Sequence, residues 1–386
     1  MSYIPYSRQE IVEADIAAVT EVLSSDFLTQ GPTIPRFERE IAALHGAAHG
    51  TAVSSATAAL HISCIALGVG EGDVVWTSPI SFVASANCAL YCGASVDFVD
   101  IDPATRNMSI TALERKLQAA RRHGRLPKVV IPVDFSGLPC DLAEIKALAD
   151  AYGFAIIEDA SHAVGATYHG NPVGSGLADI TVLSFHPVKI ITTGEGGVCL
   201  TNNAELADRL ARLRTHGITR DARQMEGEPD GAWYYEQIEL GFNYRMTDIQ
   251  AALGSSQLTR LAERHARRDA LARRYDQKLA GLPLKLPVRL DDRQSSHHLY
   301  VVEIDEMHSK TGRREAFDAL RAAGIGINVH YIPIHLQPFY RHLGFGQGDF
   351  PASEAYYSRA ISLPLFPAMN HEQQDHVIAV IERSLA

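Results

Sequence analysis

One lysine lies in a setting that could make its amine reactive. Lys189 follows Ser184-Phe-His-Pro-Val and precedes Ile-Ile-Thr-Thr-Gly-Glu-Gly-Gly, so its neighbours are apolar or small and Glu195 is the nearest carboxylate in sequence. A lysine that is removed from water without a charged partner has a lowered pKa, and its neutral amine can act as a nucleophile and a base. Because most lysines are solvated surface charges, this segment alone leaves both interpretations open.

An aspartate lies where an apolar strand is predicted to end. Asp159 closes the run Ile156-Ile-Glu-Asp and is followed by Ala-Ser-His162. In mainly parallel sheets, ligands bind at the carboxyl ends of the strands, where this side chain would lie. A half-buried carboxylate there needs a cationic or hydrogen-bonding partner. The alternative is an aspartate that only caps the following turn.

A run of small residues could bind an anion. Ser54-Ser-Ala-Thr-Ala-Ala-Leu opens an alanine-rich helix directly after a predicted strand. The first backbone N–H groups of a helix have no partner within it, and together with the positive end of the helix dipole they attract phosphate. A plain serine N-cap is the alternative.

Taken together, these features fit one cofactor better than any of them does alone. Pyridoxal phosphate needs an amine for its aldehyde, a carboxylate for its pyridine nitrogen, N–H donors for its phosphate and an aromatic face for its ring. Lys189, Asp159 and the segment that begins at Ser54 supply the first three. Phe82, just after another predicted strand, supplies the fourth. The sequence therefore predicts a pyridoxal-phosphate site.

Alternating strands and helices would position these residues. Between residues 50 and 201, short β-branched runs alternate with helical patterns, which predicts an α/β fold with a mainly parallel sheet covered on both faces. The runs at 180–184 and 197–201 are too close for a crossover helix and predict an antiparallel or irregular excursion. The large domain would comprise residues 1–246. Residues 247–386 would comprise a charged connector helix near 247–279 and a smaller α+β unit, with strands near 299–304 and 325–331.

Composition narrows the function classes. The 386-residue chain has a net charge of −10, which disfavours binding to nucleic acid or to an anionic membrane and makes a small-molecule substrate the default. The five scattered cysteines are interpreted as core residues, and the N-terminus has no signal-peptide pattern, so a cytoplasmic protein is expected. No metal is predicted, because His45 and His49 have no third ligand and are interpreted as surface histidines.

Several motifs resemble those of one family, and they extend through nearly the whole chain. They are Leu28-Thr-Gln-Gly-Pro, Ser55-Ala-Thr-Ala-Ala-Leu, Ile157-Glu-Asp-Ala-Ser-His-Ala-Val-Gly, Ser184-Phe-His-Pro-Val-Lys, Gly194-Glu-Gly-Gly, Gly241-Phe-Asn-Tyr-Arg-Met and Ser362-Leu-Pro-Leu-Phe-Pro. By these motifs the chain resembles the DegT/DnrJ/EryC1/StrS family of pyridoxal-phosphate sugar aminotransferases. The resemblance implies the aspartate-aminotransferase-like fold of type I pyridoxal-phosphate enzymes and a homodimer.

The resemblance also assigns roles around the cofactor. Lys189 would bond covalently to the aldehyde, and Asp159 would pair with the pyridine nitrogen. Phe82 would stack on the ring, and His162 would lie beside its oxygen. Some relatives carry histidine in place of the lysine and act as dehydratases, so the presence of Lys189 favours transamination.

A second group of residues would hold the phosphate. The resemblance assigns this role to Ala56, Thr57 and Ser184 of one chain and to Asn243 of the neighbouring subunit. Two sites shared across a twofold axis would follow. Asn243 could instead cap the helix that begins near Thr247.

The substrate is implied by three further segments. Tyr3-Ile-Pro-Tyr6-Ser, Ser78-Pro-Ile-Ser-Phe-Val-Ala-Ser-Ala-Asn and the stretch from Val329 to Tyr340 resemble most the members that act in pseudaminic acid biosynthesis. Those enzymes aminate the 4-keto carbon of a UDP-linked 2-acetamido-2,6-dideoxy sugar, with glutamate as the expected donor, and Tyr6 and His330 would contact the sugar. Pro187 departs from their pattern, which allows a slightly different loop.

Two other functions stay open at this point. Val53-Ser-Ser-Ala-Thr-Ala is equally typical of the enzymes that make UDP-4-amino-4-deoxy-L-arabinose. A regulator that binds pyridoxal phosphate without turnover is a second class, and the presence of Lys189 argues against it only weakly. A nicotinamide enzyme is disfavoured, because Gly68-Val-Gly-Glu-Gly follows a helix rather than a strand.

Overall fold

The computed structural model describes residues 3–385. The helices are α1 Glu13–Leu23, α2 Thr33–Leu44, α3 Ala56–Ala66, α4 Ala84–Tyr91, α5 Ile110–Arg122, α6 Leu142–Tyr152, α7 Ala204–Leu213, α8 Asp248–Leu258, α9 Leu261–Lys278, α10 Arg313–Ala322, α11 Pro338–His342, α12 Pro351–Arg359 and α13 His371–Leu385. The strands are β1 His49–Val53, β2 Val74–Thr77, β3 Ser95–Phe98, β4 Val129–Ile131, β5 Ala155–Asp159, β6 Thr167–Tyr168, β7 Asn171–Pro172, β8 Ile180–Ser184, β9 Gly197–Thr201, β10 Ile218–Thr219, β11 Glu236–Gln237, β12 Leu284–Lys285, β13 Arg293–Gln294, β14 Tyr300–Ile304 and β15 Ala360–Leu363.

A seven-stranded sheet in the order β1-β9-β8-β5-β4-β2-β3 forms the centre of the molecule. Strands β2, β3, β4, β5 and β8 run parallel to one another, whereas β9 runs antiparallel to both of its neighbours, β1 and β8. Every residue of β8 and β9 is buried, as expected for strands covered on both faces. The predictions of a mainly parallel α/β sheet and of an antiparallel excursion after β8 are both confirmed.

The C-terminal part contains a smaller antiparallel sheet. Its order is β12-β14-β15, and helices α10 and α13 pack beside it in one apolar cluster. Ile4, from the other end of the chain, is 1% exposed and belongs to the same cluster. Helix α8 packs instead against α1 and α2. The domain boundary between residues 246 and 247 stays a prediction.

Two elements differ from their prediction. The connector helix is two helices, α8 and α9, which meet at Thr259 and Arg260. The predicted strand near 325–331 is reduced to isolated bridges, Ile4 to Ile325 and Asn328 to Ser362. The reason is that this segment pairs with a different partner at each end, so no continuous ladder forms. Within residues 3–385, no helix has the length and apolar character to cross a bilayer.

His45 corrects one of the residue predictions. It was expected at the surface, but it is fully buried at the end of α2, and its Nδ1 lies 2.6 Å from the carbonyl oxygen of Val173. A carbonyl only accepts hydrogen bonds, so Nδ1 carries the proton and donates. Burial lowers the pKa of His45 to about 4. His45 is thus a neutral core residue that ties α2 to the turn after β7.

Candidate active site

The carboxyl ends of several parallel strands meet at one edge of the sheet. Strand β5 ends at Asp159, β8 ends at Ser184, and β1 leads into the N-terminus of α3. The lysine loop leaves this edge after β8 and returns along β9. Backbone hydrogen bonds hold the base of this loop: Phe185 N donates to Gly196 O, and Thr193 N donates to Phe185 O, both at 3.0 Å. The sheet thereby brings together residues that lie far apart in sequence.

Lys189 is partly buried in this loop, in the turn in which its own N–H donates to His186 O. Burial lowers the pKa of its amine to about 8, and the carboxylate of Asp159 opposes that shift. With such a pKa, about a tenth of these amines is unprotonated at pH 7. The structure therefore places the amine of Lys189 in the kind of setting that the sequence predicts, close enough to Asp159 for the two charges to interact.

Asp159 is 5% exposed and is held on both carboxylate oxygens. The Ser85 hydroxyl donates to Oδ2 at 2.6 Å, and the backbone N–H of Ser161 donates to Oδ1 at 3.1 Å. Ser81 lies 2.7 Å from Ser85, hydroxyl to hydroxyl, and extends this chain of hydrogen bonds. The carboxylate therefore does more than cap the following turn, because the Ser85 hydroxyl also holds it in place.

His162 lies between three aromatic side chains and its ring is neutral. Its pKa is well below the usual value because the ring is buried and because Lys189 and His330 lie nearby. The backbone N–H of Ser136 donates to Nδ1 at 3.2 Å. In a neutral ring the proton must then be on Nε2, which is 3.1 Å from the Tyr331 hydroxyl and donates to it. The Tyr331 hydroxyl proton is left free for another acceptor.

The predicted phosphate residues come together around Gly197. Ser184 pairs with Gly197 across β8 and β9, and a Cβ built on Gly197 would lie only 2.7 Å from the backbone nitrogen of Ala56. Ser55 caps α3 by accepting from Ala58 N. Within residues 3–385 neither the N–H groups of Ala56 and Thr57 nor the Ser184 hydroxyl have a hydrogen-bond partner. This is a set of free donors at a helix N-terminus, as a phosphate requires.

Asn243 lies next to this helix N-terminus, with its side chain exposed. The following residue, Tyr244, accepts from Ser54 N at 2.7 Å, and Val53 and Arg245 form an isolated bridge. Thus the segment that carries Asn243 runs alongside the start of α3 in its own chain. Its exposed amide is also accessible to a second chain.

The last group of predicted site residues consists of Tyr6, His330 and Phe82. The rings of Tyr6 and His330 are 5.6 Å apart, and burial lowers the pKa of His330 to about 4, with Lys189 contributing. The His330 Nδ1 lies 2.7 Å from the Ser362 hydroxyl. Phe82 is 60% exposed and its ring is 6.4 Å from that of Tyr331. An exposed aromatic face at the rim is what a planar ligand would cover.

The sequence analysis did not identify three residues that the structure places in this site. Ser85 binds Asp159, Tyr331 binds His162, and His298 lies against His162 with ring centroids 4.4 Å apart. Ser85 and Tyr331 lie inside segments that the sequence marks as typical of the family, next to Phe82 and His330. His298 follows no recognisable motif and could not have been found.

The comparisons with known proteins agree with this geometry. The profile of the DegT/DnrJ/EryC1/StrS aminotransferase family matches residues 9–382. The chain belongs to this family. Spore coat polysaccharide biosynthesis protein SpsC of Bacillus subtilis is 40% identical over 382 residues, which cover 98% of this chain and 96% of SpsC. The predicted sugar aminotransferase family is therefore confirmed.

Two solved structures resemble the chain over its whole length. PseC of Helicobacter pylori, an aminotransferase involved in the biosynthesis of pseudoaminic acid, has a TM-score of 0.91 at 30% identity and covers 100% of this chain and 99% of its own. Spr1654 of Streptococcus pneumoniae, described as a sugar aminotransferase, has a TM-score of 0.88 at 31% identity in its pyridoxal-phosphate form, with 100% of each chain covered. The fold-type I, aspartate-aminotransferase-like architecture is confirmed.

Pyridoxal phosphate is the cofactor, as the sequence predicts. The residues of this chain fit it, because the site offers a buried carboxylate, an amine with a lowered pKa and a helix N-terminus with unpartnered donors. The protein is accordingly a pyridoxal-phosphate sugar aminotransferase that uses a sugar substrate and an amino donor.

Proposed function

We propose that the protein transfers an amino group from L-glutamate to the 4-keto carbon of a UDP-linked 2-acetamido-2,6-dideoxy-hexos-4-ulose, as in the biosynthesis of pseudaminic acid-type sugars. The observation that carries transamination is Lys189, whose lowered pKa and proximity to Asp159 suit a lysine that exchanges protons. Support for this sugar comes from the likeness to PseC, whose description names pseudoaminic acid.

In this proposal the chain's own residues perform distinct tasks. The bound cofactor supplies an electron sink for the negative charge that develops on the reacting carbon. Lys189 Nζ takes a proton from the carbon of the amino donor and later returns one to the sugar carbon. Asp159, held by Ser85 and Ser161, would supply the negative charge that keeps the pyridine nitrogen of the bound cofactor protonated. His162 donates to Tyr331 and fixes the position of its hydroxyl.

The proposed substrate side is formed by Tyr6 and His330. Tyr6 presents a ring and a hydroxyl, and its backbone oxygen is anchored by Leu365 N at 3.0 Å. His330 is held by Ser362 in the neutral state. A ring of this kind can stack on a sugar or pyrimidine face, while the hydroxyl and imidazole offer hydrogen bonds. We further propose a homodimer in which Asn243 of the partner subunit completes the phosphate site.

A substrate panel tests the proposal. The holoenzyme is incubated with glutamate and either the UDP-linked 2-acetamido-2,6-dideoxy-4-ketohexose or UDP-4-keto-pentose, and products are identified by mass spectrometry. We expect the aminated hexose. Preferential amination of the pentose would establish the UDP-4-amino-4-deoxy-L-arabinose activity instead.

The variants of two lysines provide the control. Lys189→Ala should lose turnover by several orders of magnitude, whereas Lys146→Ala, on α6 with a side chain 41% exposed, should keep it. A wild-type protein that binds the cofactor but aminates no sugar with any donor would indicate a non-catalytic regulator. Full turnover by Lys189→Ala would rule out the assigned role of this lysine.

A further inference from the structure

Two serine hydroxyls and the carboxylate of Asp159 form one buried chain of hydrogen bonds. Ser81 lies between β2 and α4, and Ser85 lies four residues later in the first turn of α4. The two serines are 3% and 0% exposed. The Ser85 hydroxyl lies 2.6 Å from Asp159 Oδ2, and the Ser81 hydroxyl lies 2.7 Å from that of Ser85. All three polar groups are thus removed from water and connected in series.

The direction of these hydrogen bonds follows from the chemistry of the acceptor. An ionised carboxylate can only accept, so the Ser85 hydroxyl donates to Asp159. Because a hydroxyl has a single proton, Ser81 must then donate to the Ser85 oxygen. Hydrogen bonds in series polarise one another, so the second hydroxyl strengthens the bond made by the first. The chain therefore stabilises the negative charge on Asp159.

Two neighbouring carboxyl groups have no such chain. Asp134 N donates to Asp159 O at 3.1 Å, and Glu158 precedes Asp159 on β5, so three carboxyl groups lie close together at the ends of adjacent strands. Asp134 Oδ1 accepts from Cys140 N at 2.8 Å, but its Oδ2 has no hydrogen-bond partner within residues 3–385. Glu158 accepts from the Thr181 hydroxyl at 2.7 Å. Of the three groups, Asp159 has the hydrogen bonds best suited to hold a charge.

Burial favours the neutral form of both neighbours. Burial and the charge of Glu158 raise the pKa of Asp134 well above its usual range, and burial raises the pKa of Glu158 to about 7. Asp159, at 5% exposed, is nearly as buried, so the same penalty acts against its charge. Lys189 interacts favourably with that charge, but only while its own amine is protonated. The serine hydroxyls act independently of the state of the lysine.

We propose that Ser81 and Ser85 are positioning residues, which hold the negative charge on Asp159 and thereby keep the pyridine nitrogen of the bound cofactor protonated. This inference rests on the proposed pairing of Asp159 with that nitrogen. Without the hydroxyls, the proton would leave the nitrogen for the carboxylate, and both charges would be lost together. The segment that carries the two serines also carries Phe82, so one turn of the chain would control both the face and the nitrogen of the ring.

NMR of the holoenzyme tests this inference. The protein is loaded with pyridoxal phosphate that carries ¹⁵N in its ring, because the ¹⁵N shift differs between a protonated and an unprotonated ring nitrogen. The wild type should show the protonated shift. In Ser85→Ala the carboxylate loses a hydrogen bond to its charged form, which should weaken the preference for the charged pair roughly ten- to a hundredfold. The shift should therefore move towards the unprotonated value, and kcat should fall.

Three further variants isolate the contribution of the hydroxyls. Ser85→Thr keeps a hydroxyl on the same carbon and should retain the protonated shift. Ser81→Ala should move the shift in the same direction as Ser85→Ala, but less. Ser63→Ala is the matched control, since Ser63 is a fully buried serine on α3 whose hydroxyl lies 3.5 Å from the sulfur of Cys199, and it should behave as the wild type. An unchanged shift in Ser81→Ala would overturn the role assigned to Ser81.

Asp159→Asn separates this inference from the proposed function. The variant should show the unprotonated shift, and an unchanged shift would mean that Asp159 does not pair with the ring nitrogen. If Asp159→Asn changes the shift while Ser85→Ala does not, the pairing stands and the role of the serines is refuted. Thermal melts of the same samples complete the test. A lower melting temperature of Ser85→Ala with an unaltered shift would show that the hydroxyls only stabilise the fold.

Discussion

At the scale of single residues, the site depends on where protons lie. Ser136 N donates to His162 Nδ1, so His162 must donate to Tyr331, and the Tyr331 hydroxyl can donate in turn to a ligand. Tyr331→Phe should leave the buried Nε2–H without its acceptor and remove that donor. Loss of a buried hydrogen bond costs about 1–3 kcal/mol, so we expect kcat to fall roughly ten- to a hundredfold. Steady-state kinetics against wild type would check this, and an unaltered kcat would show that the hydroxyl has no part in turnover.

The lysine makes a prediction about pH. Only neutral Lys189 can bond to the cofactor aldehyde, and its lowered pKa means that the neutral fraction rises as pH increases through about 8. The rate of cofactor uptake by apoprotein, followed by absorbance, should therefore rise with a midpoint near pH 8. Asp159 favours the charged amine, so Asp159→Asn should move the midpoint lower. A midpoint near that of free lysine would contradict the proposed setting of Lys189.

How much the sequence predicts depends on how local the cause is. The apolar run before Asp159 and the small residues around Lys189 are local, and both residues lie where that pattern indicates. The hydrogen bond from Ser85 to Asp159 joins residues 74 apart in sequence, and it exists only because α4 packs against the sheet edge. Such contacts depend on tertiary structure, and no spacing rule reveals them.

At the scale of elements, the start of α3 depends on the lack of a side chain on β9. A Cβ at Gly197 would lie 2.7 Å from both the nitrogen of Ala56 and the carbonyl carbon of Ser55, and backbone atoms cannot rotate away. Gly197→Ala should therefore displace the N-terminus of α3, lower stability by about 1–3 kcal/mol and weaken cofactor retention. Thermal melts and absorbance after dialysis would measure both effects.

The matched control is Gly70→Ala, where an added Cβ meets nothing within 4 Å. It should melt and retain cofactor like the wild type. If Gly197→Ala behaves like this control, α3 is more adaptable than its close contact with β9 implies.

The boundaries of helices also depend on tertiary contacts that sequence patterns do not reveal. Within the charged pattern from 247 to 279, Gly254 lies inside α8, and neither Gly nor Pro lies at the junction of α8 and α9, so the sequence offers no reason to expect a break at Arg260. The structure shows a reason for this break. Arg260 and Arg264 bind residues near the N-terminus, with Arg260 2.7 Å from Asp15 and Arg264 donating to Glu10 O at 2.9 Å. These partners lie more than 240 residues away in sequence, so the helical periodicity of the segment cannot reveal them.

At the scale of the whole molecule, the question is whether Asn243 acts in its own chain or in a partner. Mixing Lys189→Ala chains with Asn243→Ala chains separates the two cases, provided each homodimer is inactive. In a shared site, one of the two sites of a mixed dimer has both intact residues and activity returns. If Asn243 serves its own chain, every site lacks one residue and the mixture stays inactive. Subunit exchange, verified by native mass spectrometry, makes the negative result decisive.

Residues near the start of the chain dock onto segments that come much later in the sequence. Ile4 N donates to Gly324 O, Leu365 N donates to Tyr6 O, and the Ser7 hydroxyl donates to Val188 O beside the lysine. During synthesis, Tyr6 leaves the ribosome some 360 residues ahead of Leu365, so its backbone oxygen has no partner until Leu365 has been made. The sheet can form earlier, but the side of the site formed by Tyr6 and His330, where we propose that the sugar binds, closes last. In this proposal, a newly made chain folds its sheet before it can select a sugar.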